Sequence, residues 1–136
     1  MGSKSLTRTA KGLSRSQRNG FLFEWEVAKR LRLLNVKFWA NPWIDFEDEN
    51  GTGHCAPDFV VQHPKGLVVV ECKLTLVPEA REELLNLYLP VCESIFETKP
   101  KGIVAARFSP YNDISSFEDI FNVEKPIAYW HLLRRL

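Results

Sequence analysis

Long apolar runs are missing from this chain of 136 residues, and with them any expectation of a bilayer-spanning helix. The longest pure stretch, Leu67–Val70, suits a strand rather than a span. The N-terminus is basic and rich in Ser and Thr but lacks an apolar centre, so it does not read as a signal peptide. Cysteine is scarce: Cys55, Cys72 and Cys92 are odd in number and form no C-x-x-C pair. That excludes a disulfide framework, argues against structural zinc and fits a reducing compartment. His54, His63 and His131 are too scattered to change that reading. Repeats, low-complexity tracts and linkers are also absent, and a net charge of +1 by itself implies no polyanionic partner.

What is present is an ordinary soluble composition, 45% hydrophobic and 26% charged, with enough apolar material for one core. We expect a flexible basic arm over residues 1–15 and a single domain over residues 16–136. Lys4, Arg8, Lys11, Arg15 and Arg18 all precede the first acid, Glu24. Such an arm is suited to phosphates, and it equally describes a solvated terminus. Asp45, Glu47, Asp48 and Glu49 form an acidic cluster without the ordered spacing of a calcium loop, which favours a solvated turn.

Periodicity predicts a helix from about Ser16 to Leu34, capped by Ser16 or Asn19, with Glu24, Val27, Ala28, Leu31 and Leu34 on one stripe. A strand opens at Val36 and is drawn around Pro42 to Phe46, with Asp48–Gly53 as a turn built on Asn50-Gly51. Strands follow at Asp58–Gln62 and Leu67–Leu76. A second helix starts at Pro78 and is broken or kinked at Pro90 before Val91–Phe96. Gly102–Phe108 is a further strand, Asp113–Phe121 a short helix or loop, and Ile127–Leu133 a terminal strand in a smaller appendage. The order gives an α/β domain around a mixed sheet.

Chemistry concentrates in two short segments, Ala56-Pro57-Asp58-Phe59-Val60-Val61 and Leu67-Val68-Val69-Val70-Glu71-Cys72-Lys73. Strand residues alternate faces, so Glu71 and Lys73 point the same way, with Val68, Val70 and Cys72 behind them. The strand is apolar on both faces, which marks it as interior, where charge needs a partner. Glu24, on an otherwise apolar helix stripe, faces the sheet, whereas Glu26 is expected in solvent. Three acids can therefore converge beside one lysine. Oxygen donors of this kind suit Mg²⁺ or Mn²⁺, and a neighbouring ammonium can orient or deprotonate water. These residue types match the needs of phosphodiester hydrolysis.

The combination resembles the PD-(D/E)xK nuclease superfamily, through Pro57-Asp58, Glu71-Cys72-Lys73 and the helix residues Gly20, Phe23-Glu24, Val27 and Leu31. The stretch from Arg18 to Lys73 is most similar in pattern to the phage junction-resolving endonuclease I family. Val36-Lys37-Phe38 and Ala56-Pro57-Asp58-Phe59 also match there. Archaeal Holliday junction resolvases share the signature. The resemblance implies a restriction-endonuclease-like core of helix, three-stranded meander, helix and strand. It implies Asp58 and Glu71 as metal ligands with the Cys72 carbonyl, Lys73 as catalytic lysine, Glu24 as accessory acid, and Mg²⁺ or Mn²⁺ as cofactor. The implied activity is metal-dependent endonucleolytic cleavage of DNA in a bacterial, archaeal or phage-infected cytoplasm, with junctions or branches as candidate substrates; four-way junction specificity is not carried over. The matches end at Lys73. Helicase-linked relatives carry a Gln-x-x-x-Tyr motif on the second helix; here Tyr88 is present, but Leu84 stands at the Gln position.

Arg8, Lys11, Arg15, Arg18 and Lys65 are candidate phosphate contacts, with Arg81, Lys99 and Lys101 as lesser ones. Phe21, Phe23, Trp25, Phe38, Trp39 and Trp43 suit core packing or a stacking platform for bases, and Trp25 also suits self-association. The leucines from Leu84 to Leu89 exceed what one helix face needs, which makes a homodimer seam a candidate. No membrane partner is expected. The competing reading is a non-catalytic nucleic-acid-binding subunit of a larger assembly, and a third is a purely structural ionic network.

Overall fold

Helix α1 (Arg15–Leu33) begins where a capping box closes, in the computed structural model, which describes residues 14–132. Ser14 Oγ accepts a hydrogen bond from the Gln17 N–H at 3.1 Å, and Gln17 Oε1 accepts one from the Ser14 N–H at 3.0 Å. The cap is therefore Ser14 rather than Ser16 or Asn19. Arg15 belongs to the helix and not to the arm. Arg30 and Arg32 in the last turn complement the helix dipole. Phe23, Val27, Ala28 and Leu31 are buried against the sheet, as their spacing predicts.

The central sheet has five strands in the order β1-β4-β5-β6-β7: β1 (Lys37–Ala40), β4 (Phe59–His63), β5 (Gly66–Thr75), β6 (Lys101–Phe108) and β7 (Ile127–His131). β1, β4 and β5 form an antiparallel meander, while β6 and β7 run parallel to β5. Helix, meander, helix and strand thus surround a mixed sheet, the α/β arrangement expected. The C-terminal segment is no appendage, because β7 completes the sheet. A short 3-10 helix (Phe117–Asn122) precedes it, packing Phe117 and Ile120 on the α1 side.

The strand drawn from Val36 to Phe46 is interrupted. Asn41 takes a left-handed conformation (φ 49°), tolerable for Asn, and Pro42 follows. The chain leaves the sheet there and forms a separate hairpin of β2 (Ile44–Asp48) and β3 (Gly51–Cys55). Glu49 and Asn50 turn that hairpin between the paired Asp48 and Gly51, one residue before the expected Asn50-Gly51, and Gly51 takes φ 116°. Gly51–Cys55 is thus a strand where a turn was expected. Gly53 is needed within it, because a Cβ there would lie 2.7 Å from the Phe46 ring.

The helix over the opposite face runs through Pro90 without breaking. It comprises α2 (Pro78–Glu83), a π-helical turn (Leu84–Tyr88) and α3 (Leu89–Phe96). Proline lacks an N–H, and its ring crowds the carbonyl four residues back. The widened turn just before Pro90 relieves this, with the Leu89 N–H bonding to the Leu84 carbonyl. Leu84 and Leu89 are buried, and Leu85 and Leu87 pack partly buried on the same core. Leu84 and Leu89 are thus used inward, while Leu85 and Leu87 keep part of their surface open.

Side-chain alternation divides the core. Phe59, Val61, Val68, Val70, Ile103 and Ala105 face α1, whereas Val60, Leu67, Val69 and Val104 face α2 and α3. Among the described residues no helix is long and apolar enough to cross a membrane. Leu31→Ala should lower unfolding stability by about 2–5 kcal/mol through the cavity it leaves. A urea titration would read this as a lower midpoint with unchanged slope, and a midpoint equal to wild type would contradict the packing.

Candidate active site

Asp58 and Glu71 are tied together by the register of the β4–β5 hairpin. Phe59 pairs with Val70, and continuing that register sets Asp58, just ahead of β4, directly across from Glu71. The Asp58 N–H donates to Glu71 Oε1 at 3.0 Å, and Asp58 Oδ2 accepts from the Cys72 N–H at 2.7 Å. Asp58 shares the sheet face of Val60, and Glu71 and Lys73 that of Val69, so all three point toward α2 and α3. A strand residue's N–H and C=O project to one edge, so the Cys72 carbonyl is turned toward Asp58 as well.

Glu71 is the one charged residue buried outright among the described residues, at 3% exposure. Its carboxyl is pushed up to about 9, first by burial and then by the charge of Asp58. Asp58 is pushed up to about 7, first by burial and then by the charge of Glu24. Backbone N–H bonds and the Lys73 ammonium pull both down, but by less. Burial is the larger cause for both carboxyls, and the lysine and amides offset it only in part.

Glu24 reaches Asp58 electrostatically from α1, and Asn41 holds it there. Asn41 Nδ2 donates to Glu24 Oε1 at 2.8 Å, while the Asn41 N–H donates to the Asp58 carbonyl at 2.7 Å. The kink that ends β1 therefore fixes two of the three acids. Asn41 was not singled out from the sequence, and only its place before Pro42 hinted at a special backbone.

Glu83 and Tyr88 were missed as a pair. The wider pitch of the π turn brings residues five apart over one another, so the charge of Glu83 bears on the buried Tyr88 phenol. Burial, and then the charges of Glu71, Glu83 and Asp58, push the Tyr88 phenol far up, so it remains a donor. Cys55 is pushed up to about 11 by burial and then by Glu83 and Glu71, which keeps it a neutral thiol at the rim. Cys72 is likewise held protonated, chiefly by burial.

Other expectations need correction. Glu26 is not simply solvated: it pairs with Arg107, whose guanidinium also lies over the Phe23 ring at 5.2 Å. His63 is not solvent-exposed, since its side chain is only 7% accessible, pairs with Glu118 at 3.0 Å and packs against Phe121. Lys101 donates to the carbonyls of Val123 and Lys125 and is a structural cation. His54 stacks on Trp43, whose indole donates to Asp45 at 3.0 Å, on the exposed hairpin. Lys65 lies in the β4–β5 turn, at the other end of the strands from Glu71 and roughly 20 Å of strand rise away. Arg15 and Arg18 are exposed on the opening turns of α1. Arg8 and Lys11 lie outside the described residues.

Among the described residues, no three His, Cys, Asp or Glu side chains form a ready-made metal cluster. Mg²⁺ does not require one, because it keeps several waters and takes one or two carboxylates together with substrate oxygens. Asp58 and Glu71, whose burial is only partly offset, and the Cys72 carbonyl are hard oxygen donors, and they fit such an ion.

No family model matches the chain, and no curated protein matches it in sequence. Several solved structures are similar. The small subunit of the heterodimeric restriction endonuclease R.BspD6I is 15% identical over 68% of this chain and 52% of that one, with a TM-score of 0.43. A repair endonuclease from Pyrococcus abyssi is 14% identical over 79% and 44%, with a TM-score of 0.46. EndoMS in a complex with double-stranded DNA is 15% identical over 94% and 50%, with a TM-score of 0.47. The chain spans about half the length of these proteins. At such scores the chemistry must rest on the chain's own residues.

Asp58 and Glu71 hold protons more tightly folded than unfolded, where carboxyls titrate near about 4. Their contribution to stability is full below that value and is lost as pH rises through about 7 and about 9. Metal-free protein should therefore show a melting temperature that falls across this window, and falls less in Asp58→Asn and Glu71→Gln. Parallel curves for all three proteins would contradict the burial described.

Proposed function

We propose that this chain is a metal-dependent DNA endonuclease of the PD-(D/E)xK kind, with Mg²⁺ or Mn²⁺ as cofactor and junction or branched DNA as its preferred substrate. The observation that carries the reading is the reciprocal bonding of Asp58 and Glu71 across the hairpin, with Lys73 next along the same face. Asp58, Glu71 and the Cys72 carbonyl would hold the ion, and Glu24, anchored by Asn41, would support it. When bound, such an ion lowers the pKa of a coordinated water and neutralises charge on the phosphoryl oxygens.

The protein's own groups supply the rest. Burial of the two acids keeps them from being screened by bulk water, which strengthens their hold on a cation. Lys73, on the same face of β5 as Glu71, donates from its ammonium to orient the attacking water and then faces the charge that develops on phosphorus. Glu83 and the buried Tyr88, on the helix side, lie within electrostatic reach of Glu71.

Asp58→Asn, Glu71→Gln and Lys73→Ala should each lower the cleavage rate by about 10²–10⁴-fold while leaving the fold and DNA affinity in place. The measurement is a panel of linear, nicked, flapped and four-way DNAs with Mg²⁺ or Mn²⁺. Absence of cleavage by the wild-type chain on every substrate would defeat the enzyme reading. A calorimetric titration then decides the alternative: carboxylate-dependent metal binding is expected, and its absence leaves a non-catalytic DNA-binding subunit.

A further inference from the structure

The outward side of α1 carries a pattern that packing does not explain. Val27 and Leu31 define its buried side, and on the reverse side, at helical spacing, lie Arg18, Leu22, Trp25, Lys29, Arg32 and Leu33. Leu22 is 43% exposed, Trp25 50% and Leu33 86%, and the three cations beside them are exposed too. A solvated helix face has no use for this much apolar surface. Nor are the cations balanced by acids on the helix. It has only Glu24 and Glu26, which lie on its flanks and are engaged by Asn41 and Arg107.

Charge decides among occupants. A second copy meeting the same stripe would set cation against cation, and the N-terminal arm, with Lys4, Arg8 and Lys11, carries the same sign. The complement must be anionic and must offer flat apolar surface. Trp25 also has the form of a stacking platform: its indole is half open, and the buried Phe21 lies beneath it with ring centroids 6.4 Å apart and planes 29° from parallel. An indole flanked by guanidinium and ammonium groups fits unpaired nucleotides, whose bases stack while their phosphates meet the cations. Bases paired in a duplex do not present their faces to a side chain on this surface. Trp25 follows Glu24 directly in the helix, so the stripe begins beside the acidic cluster.

We propose that the outer face of α1 binds a single-stranded segment of DNA, with a base stacked on Trp25 and phosphates on Arg18, Lys29 and Arg32. This deepens the nuclease reading by giving branched substrates their recognition element, and it rests on that reading only for the choice of DNA as the anion.

The test is fluorescence anisotropy of the full chain with a labelled single strand and with the matching duplex, in EDTA, where binding is read without cleavage. Trp25→Ala should weaken single-strand binding by about fivefold or more. Duplex binding should change less than twofold, and Trp25→Phe should retain most of the affinity. Arg18→Gln with Lys29→Gln should lower the salt slope for the single strand by about 1.4. Equal single-strand affinity of Trp25→Ala and wild type, or equal losses on both DNAs, would overturn the proposal. So would sedimentation showing a wild-type dimer that Trp25→Ala dissociates, which would assign the face to self-association. Binding to phosphatidylserine vesicles that Trp25→Ala abolishes, with single-strand affinity unchanged, would assign it to a membrane instead. Binding as expected in EDTA together with no cleavage in Mg²⁺ would keep this inference and remove only the enzymatic one.

Discussion

Two hydrogen bonds from backbone amides to a pair of carboxyl groups fix the geometry at the end of the β4–β5 hairpin. The Asp58 amide bonds Glu71, and Asp58 in turn takes the Cys72 amide, so each acid is held by the other's strand. Both are taken out of water in the process, and burial of a carboxylate is costly unless something compensates. Amides and Lys73 compensate only in part. The result is a preorganised pair of oxygen donors at the end of a rigid sheet, where their positions cannot drift without breaking the hairpin register.

The remaining structure makes that pair possible. Asn41 ends the first strand in a conformation few residues accept, and it uses both its backbone and its side chain to bring Glu24 and Asp58 into one field. On the far side, the π turn before Pro90 brings Glu83 and the buried Tyr88 within electrostatic reach of Glu71. A helix of regular pitch would have turned one of the two away. Sites built on strand ends and helix faces hold geometry better than sites on loops; here Glu71 and Lys73 lie within β5 and Glu24 on α1, while Asp58 stands on a bend just ahead of β4.

Much of the sheet could be read from residue order. The apolar runs before Gln62 and Glu71 were found within a residue or two of their ends, because strand burial leaves an unbroken apolar signature. The first helix was legible from its stripe, but its start was misplaced, since the capping box depends on Gln17 reaching back to Ser14. The turn near Asn50-Gly51 was legible, but the returning strand β3 was missed because Gly51-Thr52-Gly53-His54-Cys55 has little strand propensity. It forms because the chain leaves the sheet at Asn41 and must return at Pro57. Arg107 and Glu26, eighty-one positions apart, could not have been paired by any local rule.

By itself the sequence determined the kinds of groups available: oxygen donors and an amine at the ends of two apolar strands, and basic residues gathered before the first acid. Those follow from composition and period, which act locally. Only the tertiary structure decided which acids share a proton-holding pocket, that Lys65 and Lys101 stand away from it, and that Leu84 and Leu89 of the second helix are used inward. It also left Trp25 and its neighbouring cations uncovered. Such outcomes depend on strand register, on the sides that two helices present to one sheet, and on one widened helical turn. These are relations between distant segments, and no window along the chain contains them.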